Sequence, residues 1–104
     1  MRVLRLRRTP SALLPLMPWF VYVLRNERGR FYVGSTGRSP EIRLAEHNAG
    51  LNRWTRPRGP WCLVYWEART DKLDALARER FLKTSAGRRV RDSLVTAAEV
   101  VEGL

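Results

Sequence analysis

Four side chains that can do chemistry stand close together in the first half of the 104-residue chain. Tyr22 and Tyr32 lie in two apolar segments separated by a short polar one, and Arg43 and His47 follow, four positions apart. That spacing places two side chains on one face of a helix. Together, phenol, imidazole and guanidinium groups can move a proton and hold a negatively charged group. Taken singly, each of the four could equally be an ordinary strand or exposed helix residue.

A large excess of positive charge runs through the chain. Lys and Arg number 20 against 10 Asp and Glu, which gives a formal net charge of +10. Residues 25–58 alone hold eight arginines against three glutamates, so the excess is not confined to a tail. A polyanion is the natural partner of such a protein, and the nucleic-acid backbone is the leading candidate.

The single cysteine, Cys62, lies in the apolar run WCLVYW and is predicted to be a small buried hydrophobic residue. One cysteine forms no internal disulfide, so a reducing cytoplasmic compartment is the default expectation. Residues 1–18 are interpreted as a mobile basic arm rather than a signal peptide, because Pro15 interrupts their short apolar stretch. Met17 could also be the true start. No apolar run is long enough to span a membrane, so no membrane partner is expected.

Strand and helix signals surround the four residues. WFVYVLR (19–25) and FYVGST (31–36) are predicted to form a hairpin with a turn at Gly29. Ser39 and Gly50 bracket a short helix, EIRLAEHNA, as its N-cap and its C-terminal stop. Residues 61–69 form a nearly continuous apolar run, which predicts a third strand that is central or buried on both faces.

Two more helices are predicted in the last third of the chain. Asp71 is expected to cap a helix through LDALARERFLK, followed by a turn near Gly87 and a last helix. The apolar positions at helical spacing in the first of these helices are Leu73, Leu76, Ala77 and Phe81. Those in the last helix, expected to pack on the sheet, are Val90, Leu94, Ala97, Ala98, Val101 and Leu104.

Residues 51–60, LNRWTRPRGP, have the composition of a basic loop. Arginines pair with phosphates and an aromatic ring can stack on a base, so the loop predicts contact with nucleic acid. An equally weighted alternative is that Trp54 only pins the loop to the core. The residues expected to contact nucleic acid are Arg38, Arg53, Trp54, Thr55, Arg56, Arg58 and Lys83.

The order of these motifs resembles the GIY-YIG endonuclease superfamily. Phe20-Val21-Tyr22 and Tyr32-Val33-Gly34 are similar to its paired triplets. They precede an R-x-x-x-H-N-x-G helix end, Thr55 with Arg56-Pro57, and a helix with Glu79 in A-x-x-R-E-R-x-L-K. The match covers about residues 19–94 and is closest to small standalone members, which look like the N-terminal nuclease domain of the excinuclease C repair protein. The resemblance implies a single α+β domain, a three-stranded antiparallel sheet flanked by helices, continued by a packed C-terminal helix at 95–104.

In activity, the resemblance implies metal-dependent hydrolysis of DNA phosphodiester bonds, with repair or recombination as the setting. One small domain offers little surface for reading base edges, so cleavage is expected to be directed by DNA structure. Tyr22 would activate the attacking water with support from Tyr32, Arg43 would brace the phosphate, and Glu79 would bind Mg²⁺ or Mn²⁺. The general base stays open among Tyr22, Tyr32 and His47. A tyrosine pKa near 10 would have to fall by roughly three units for Tyr22 to act as base at neutral pH. The five side chains are expected to meet in one concave patch.

Two departures from the family pattern stand out. Phe20 replaces the glycine of the first triplet, and no asparagine follows Glu79, where Ser85, Arg88 or Arg91 could substitute. Gly34 is expected to allow a close approach to substrate or Tyr22, or else to form a bulge.

Several alternatives remain open from the sequence alone. Glu79 could be an exposed helix residue paired with Arg78, Arg80 or Lys83. The protein could bind nucleic acid without cleaving it, and charge alone would also suit a structural RNA-associated protein. No small-molecule cofactor is expected, and the oligomeric state is not predicted.

Overall fold

A computed structural model describes residues 18–103 and contains a three-stranded antiparallel sheet with three α-helices. The elements are β1 (Trp19–Asn26), β2 (Phe31–Thr36), α1 (Pro40–Asn48), β3 (Trp61–Arg69), α2 (Lys72–Leu82) and α3 (Ser85–Gly103). The predicted α+β fold is confirmed. The predicted arm at 1–18 lies, except for Pro18, outside the described residues, as do Met17 and Leu104. None of the helices described in 18–103 is long and apolar enough to cross a membrane.

The sheet order is β2-β1-β3, so β1 is the central strand and both others are edges. The prediction that β3 is central or buried on both faces is therefore wrong, and Cys62 on that strand is exposed rather than buried. The apolar run of β3 is half-covered on an edge strand, and its Trp66 stays 49% exposed. Continuous hydrophobicity marked the strand correctly but did not reveal its place in the sheet.

The two faces of the sheet carry separate cores. One face packs Val21, Val23 and Val33 against α2 and α3, where Ala75, Leu82 and Val95 are fully buried. The other face packs Tyr22, Leu24 and Trp61 against α1 and the loop that follows it, with Tyr32, Leu44 and Leu63 at the margin. Tyr22 pairs across the hairpin with Gly34, so both belong to the face that α1 covers.

The capping signals place α1 as predicted. The Ser39 hydroxyl accepts a hydrogen bond from the Ile42 amide at 3.1 Å. At the other end Gly50 has φ +85, its amide donates to the His47 carbonyl at 3.1 Å, and the Leu51 amide donates to the Glu46 carbonyl at 3.0 Å. This paired pattern closes the helix through a left-handed glycine. The last turn of α1, which carries His47, is thereby held over the sheet.

The predicted apolar face of α2 is wrong in its orientation. Asp71 does cap the helix, accepting from the Asp74 amide at 2.8 Å. The fully buried positions are however Ala75 and Leu82, whereas Leu73 is 79% exposed and Phe81 39% exposed. The helix has one row of apolar residues that includes Leu73 and Phe81 and another that includes Ala75 and Leu82. The second row packs against the sheet, although the sequence spacing favoured the first.

The chain turns at Lys83 and Thr84, not at Gly87, and α3 begins directly at Ser85. Gly87 lies inside α3, and glycine is needed there because a Cβ would stand only 1.8 Å from the Phe81 carbonyl oxygen at the end of α2. The predicted stripe on α3 is only partly right, since Val95 is its fully buried residue and Val101 is 68% exposed.

Candidate active site

A line of three hydrogen-bonded side chains lies between the sheet and α1. The Tyr22 hydroxyl is 2.8 Å from His47 Nε2, and His47 Nδ1 is 2.7 Å from Thr55 Oγ1. All three residues are at most 1% exposed. Buried polar groups are normally paired, and here each imidazole nitrogen has one partner. Strand β1, helix α1 and the basic loop thus each contribute one member.

The absence of a side chain at Gly34 makes room for Tyr22. A Cβ built there would lie 2.5 Å from the phenol oxygen and 2.6 Å from Cζ of Tyr22. The Tyr22 ring therefore lies across the backbone of β2 at this residue, and its hydroxyl points toward the edge strand. The close approach predicted for Gly34 is found, with Tyr22 as the neighbour.

Arg43 lies one helical turn before His47 on α1. Its guanidinium pairs with Glu46 at 2.6 Å, and Glu46 also pairs with Arg38 at 2.7 Å. Hydrogen bonds from Arg38 and Arg43 hold the pKa of Glu46 below its usual value. Sequence reasoning missed Glu46, although its position three residues after Arg43 is a helical pairing distance.

Arg43 also acts on the hydrogen-bonded line, because it is close enough to the Tyr22 phenol to lower its pKa against the larger effect of burial. A neutral imidazole donates from one ring nitrogen and accepts at the other, so the line can run in either direction. Thr55, expected to contact nucleic acid, instead orients the histidine from inside the protein.

Burial sets the protonation states of the pair. Burial raises the pKa of Tyr22 to about 12, against the lowering effect of Arg43. Burial, and then the charge of Arg43, lower the pKa of His47 to about 4. Both side chains are thus neutral at pH 7. The downward shift that a Tyr22 base would need is absent, because the phenol is removed from water more than it is stabilised by positive charge.

Tyr32 stands beside this line and is only partly buried. Its ring centroid lies 4.9 Å from that of His47 and 5.9 Å from that of Trp54, on which it stacks. The Arg58 guanidinium lies 4.2 Å from the Trp54 ring centroid. Trp54, although 42% exposed, packs on the protein, in line with the alternative that it pins the loop. A base could stack on its Arg58 side only by displacing that guanidinium.

Glu79 reaches β2 from the other face of the sheet. Its Oε1 accepts from Ser35 Oγ at 2.6 Å, and its Oε2 pairs with Lys83 Nζ at 2.6 Å. Side chains alternate along a strand, so Ser35 points away from the face of Tyr32 and Gly34. The five predicted side chains therefore do not form a single one-sided patch. They approach edge strand β2 from its two faces.

Two observations show that the Glu79 side of the sheet acts on the side that carries the two tyrosines. Lys83, besides pairing with Glu79, lies 5.9 Å from the ring centroid of Tyr32. The charge of Glu79 is also among the smaller causes that raise the pKa of Tyr22. Glu79 is thus paired with Lys83, as its alternative predicted, but it is half-buried rather than exposed, and its charge still acts on the phenol. Ser35, its hydroxyl partner, gave no signal in the sequence beyond its place next to Gly34.

An open groove of about 310 Å³ adjoins Tyr32 along the same edge, and it also touches Lys83 and Trp54. It is lined by Phe31, Tyr32, Val33, Trp54, Lys83, Arg88 and Arg91. Two of the three residues suggested to replace the missing asparagine, Arg88 and Arg91, are therefore at this groove. Arg91 lies over the Phe31 ring, 4.3 Å from its centroid.

The other residues expected to contact nucleic acid lie around this edge or on the loop. Arg53 and Arg56 are exposed, as is Arg38, which pairs with Glu46. Lys83 is exposed at the groove. These positions are accessible to a polyanion, unlike that of Thr55.

A divalent ion would have few protein ligands here. Within residues 18–103, no cluster of three or more His, Cys, Asp or Glu side chains could hold a metal. Glu79 is a lone carboxylate, 19% exposed, with the Ser35 hydroxyl on one oxygen. That donor set fits Mg²⁺, which often takes one or two carboxylates and completes its shell with water and phosphate oxygens. Lys83 would have to release Oε2 for the ion to bind there.

Comparison with known proteins gives a consistent result. The model of the GIY-YIG catalytic domain matches residues 18–91. A UPF0213 protein of Desulfotalea psychrophila is 39% identical over 83 residues, spanning 78% of this chain and 74% of its own. A UPF0213 protein of Staphylococcus haemolyticus is 38% identical over 66 residues, spanning 62% and 79%. The NMR structure of a Bacillus halodurans UPF0213 protein is 34% identical, covers 78% of this chain and 85% of its own, and has a TM-score of 0.47.

The matched region extends from the start of β1 into α3 and contains both tyrosines, Arg43, His47 and Glu79. It covers well over half of the chain. The chain therefore belongs to the GIY-YIG catalytic domain family.

Proposed function

We propose that this protein is a divalent-metal-dependent endonuclease that hydrolyses phosphodiester bonds in DNA. GIY-YIG domains form a nuclease family, which implies DNA as the substrate. The observation that carries the proposal is the buried line from Tyr22 through His47 to Thr55, with Arg43 beside the phenol. Phosphodiester hydrolysis needs an acceptor for the proton of water and positive charge at the phosphoryl oxygens, and this arrangement supplies both.

The proton of the attacking water passes to His47 through Tyr22. His47 and Tyr22 are each only 1% exposed, and both ring nitrogens of His47 are engaged, so the attacking water reaches the phenol only after neighbouring side chains move. As Tyr22 accepts the proton of water on its oxygen, it gives its own to Nε2. No free phenolate forms, which matters because the Tyr22 pKa of about 12 makes that species costly at neutral pH.

Substrate charge makes His47 a stronger base. In the free protein the positive charge of Arg43 is the second cause of the lowered His47 pKa. A phosphodiester bound to Arg43 offsets that positive charge, which favours the imidazolium. Glu46 must first release Arg43, since the two are paired at 2.6 Å. Arg43 then binds the phosphate through planar, charge-assisted hydrogen bonds.

Glu79, with Ser35 beside it, is the proposed ligand of Mg²⁺ or Mn²⁺. When bound there, such an ion supplies Lewis-acid stabilisation of the charge on the phosphoryl and leaving oxygens. The phosphate would sit over the edge of β2, because only there are the Tyr22 side and the Glu79 side of the sheet both within reach. Lys83, displaced from Glu79, is then free to pair with the DNA backbone.

A module of this size offers little surface for reading base edges, which favours recognition of DNA structure over sequence. We therefore propose DNA repair or recombination as the setting, because branched and damaged DNA arises there. A second function is favoured by the ion pairs of Arg43 with Glu46 and of Glu79 with Lys83. In that case the protein binds nucleic acid and cleaves it very slowly or not at all.

Cleavage of a DNA panel separates the two functions. Branched, flapped, nicked and single-stranded oligonucleotides are incubated with the protein in Mg²⁺, in Mn²⁺ and in chelator. The endonuclease proposal predicts products that require the metal and differ in yield between DNA structures. Binding to the panel without metal-dependent products would support the binding module instead.

A further inference from the structure

A second basic cleft lies at the turn between β1 and β2, where that turn meets the loop preceding β3. Its volume is about 210 Å³. It is lined by Asn26, Glu27, Arg28, Arg30, Pro57, Arg58 and Gly59. We refer to it as the turn–loop cleft. It lies outside the residues to which a role has been given above, except for Arg58.

One side chain holds the two walls of this cleft together. Asn26 is 8% exposed. Its Oδ1 accepts from the Arg28 amide at 3.0 Å and from the Arg30 amide at 2.8 Å, and its Nδ2 donates to the Arg58 carbonyl at 2.9 Å. The turn and the loop are therefore held in a fixed relation by one buried amide, and the cleft exists before any ligand arrives.

The charge of the cleft is positive and only partly compensated. Arg28, Arg30 and Arg58 face one glutamate, Glu27. None of the three arginines forms an ion pair with any carboxylate in the described range 18–103. Elsewhere in the molecule many arginines are paired, Arg69 even with two carboxylates. Guanidiniums that outnumber the nearby carboxylates repel one another, and a bound anion relieves that repulsion.

The cleft adjoins the candidate active site through the Trp54 ring. Arg58 and Arg30 both lie over the Trp54 ring, at 4.2 Å and 5.9 Å from its centroid. The same ring stacks on Tyr32, at 5.9 Å between centroids. A strand whose scissile phosphate lies at the edge of β2 can thus extend past Trp54 to the cleft.

We propose that the turn–loop cleft binds a backbone phosphate of the DNA strand, one that is not cleaved. Arg28 and Arg30 provide the guanidinium contacts, and Asn26 sets their spacing. The inference rests on the proposed function only in taking DNA as the ligand. It assigns to the hairpin turn a task in holding substrate that neither tyrosine triplet performs.

The test compares two double variants of equal charge. Arg28→Gln with Arg30→Gln removes the cleft cations, and Arg80→Gln with Arg89→Gln removes two exposed arginines from α2 and α3. Affinity for a duplex oligonucleotide is measured by fluorescence anisotropy across a salt series with chelator present. Loss of one phosphate contact lowers the slope of log K against log salt by about 0.9. We expect that decrease in the cleft variant and an unchanged slope in the control.

Equal slopes in the two double variants would overturn the proposal. Inorganic phosphate alone is titrated in parallel, with the Arg28 and Arg30 amide signals followed by NMR. Saturation of those signals by phosphate, without a slope difference on DNA, would also overturn it in favour of a free-anion site. Because binding is measured without metal, these outcomes are independent of cleavage. If the wild-type protein never cleaves DNA but the two double variants differ in slope, the endonuclease proposal is refuted and the proposed phosphate site in the turn–loop cleft stands.

Discussion

Replacing Gly34 with alanine should damage the proton line through Tyr22 while leaving the fold intact. The added Cβ would lie 2.5 Å from the phenol oxygen, whereas ordinary contact begins near 3.4 Å, so about 0.9 Å must be gained. Tyr22 is fully enclosed, and its hydroxyl is 2.8 Å from His47. Either the phenol moves and the hydrogen bond is strained, or β2 shifts away. Overpacking of this kind destabilises by about 1–3 kcal/mol, and a 1 Å misplacement in an active site can lower turnover about 100-fold.

Gly29→Ala is the matched control. Gly29 has no neighbour within 4 Å of an added Cβ, but its φ is +79, so alanine there is strained in its backbone alone. That conformation costs an L-residue about 1–2 kcal/mol, which makes the two variants similar in stability. Denaturant unfolding measures that stability, and nicking rate together with the ¹⁵N shifts of His47 measures the site. Gly34→Ala with unchanged nicking and unchanged His47 shifts would refute the proposed Tyr22 geometry.

Three further predictions concern the residues around the phenol. In the proposed proton transfer His47 accepts at Nε2 and carries its proton on Nδ1. Thr55→Val would leave that Nδ1–H without an acceptor, so the neutral imidazole should move toward the Nε2–H form, while Thr55→Ser should keep the wild-type tautomer. Histidine ¹⁵N shifts decide this cleanly because the chain has 1 histidine, and no tautomer change in the valine variant would contradict the role of Thr55. For pH, the folded pKa of His47 is about 4 against an ordinary 6.5, so the folded protein binds fewer protons than the unfolded chain between those values. The free energy of unfolding should therefore fall by about 3 kcal/mol in total as pH drops from about 6.5 to about 4. His47→Gln should lack this pH-dependent part of the stability. Identical pH dependence in both proteins would contradict the burial of a neutral imidazole. Arg43→Lys keeps the charge but loses the planar pair of donors, so nicking should fall by at least tenfold with little change in DNA affinity, and equal losses of both would reduce Arg43 to a general phosphate contact.

The parts of the fold that depend on local signals could be predicted from the sequence. The hairpin follows from β-branched and aromatic runs around Gly29, and α1 follows from the Ser39 cap and the left-handed Gly50. Those signals act within a few residues, so no knowledge of the remaining chain is needed. The motif order added the expectation that Tyr22 and the α1 histidine lie close together, although they are distant along the chain.

The remaining features depend on packing and could not be read from spacing. Which face of α2 turns inward was misjudged, since burial of Ala75 and Leu82 is decided by the sheet beneath them. The same packing brings Glu79 to Ser35 on the far face of β2. Thr55 looked like a loop residue for nucleic acid because nothing local shows that the loop folds back on His47. The rise in the Tyr22 pKa likewise follows from burial, which the sequence did not reveal.

The central claim is that Glu79 takes part in metal-dependent cleavage although it approaches β2 from the face opposite the tyrosines. The most direct measurement is the Mg²⁺-dependent nicking rate of Glu79→Gln, with Glu41→Gln, an exposed change of equal charge on α1, as the control. We expect nicking by Glu79→Gln to be lost, with DNA affinity equal to or above that of the wild type, and nicking by Glu41→Gln to be retained. Nicking by Glu79→Gln at the rate of the control would contradict the proposed metal site. It would also contradict the claim that side chains from both faces of the sheet take part in cleavage at the edge of β2.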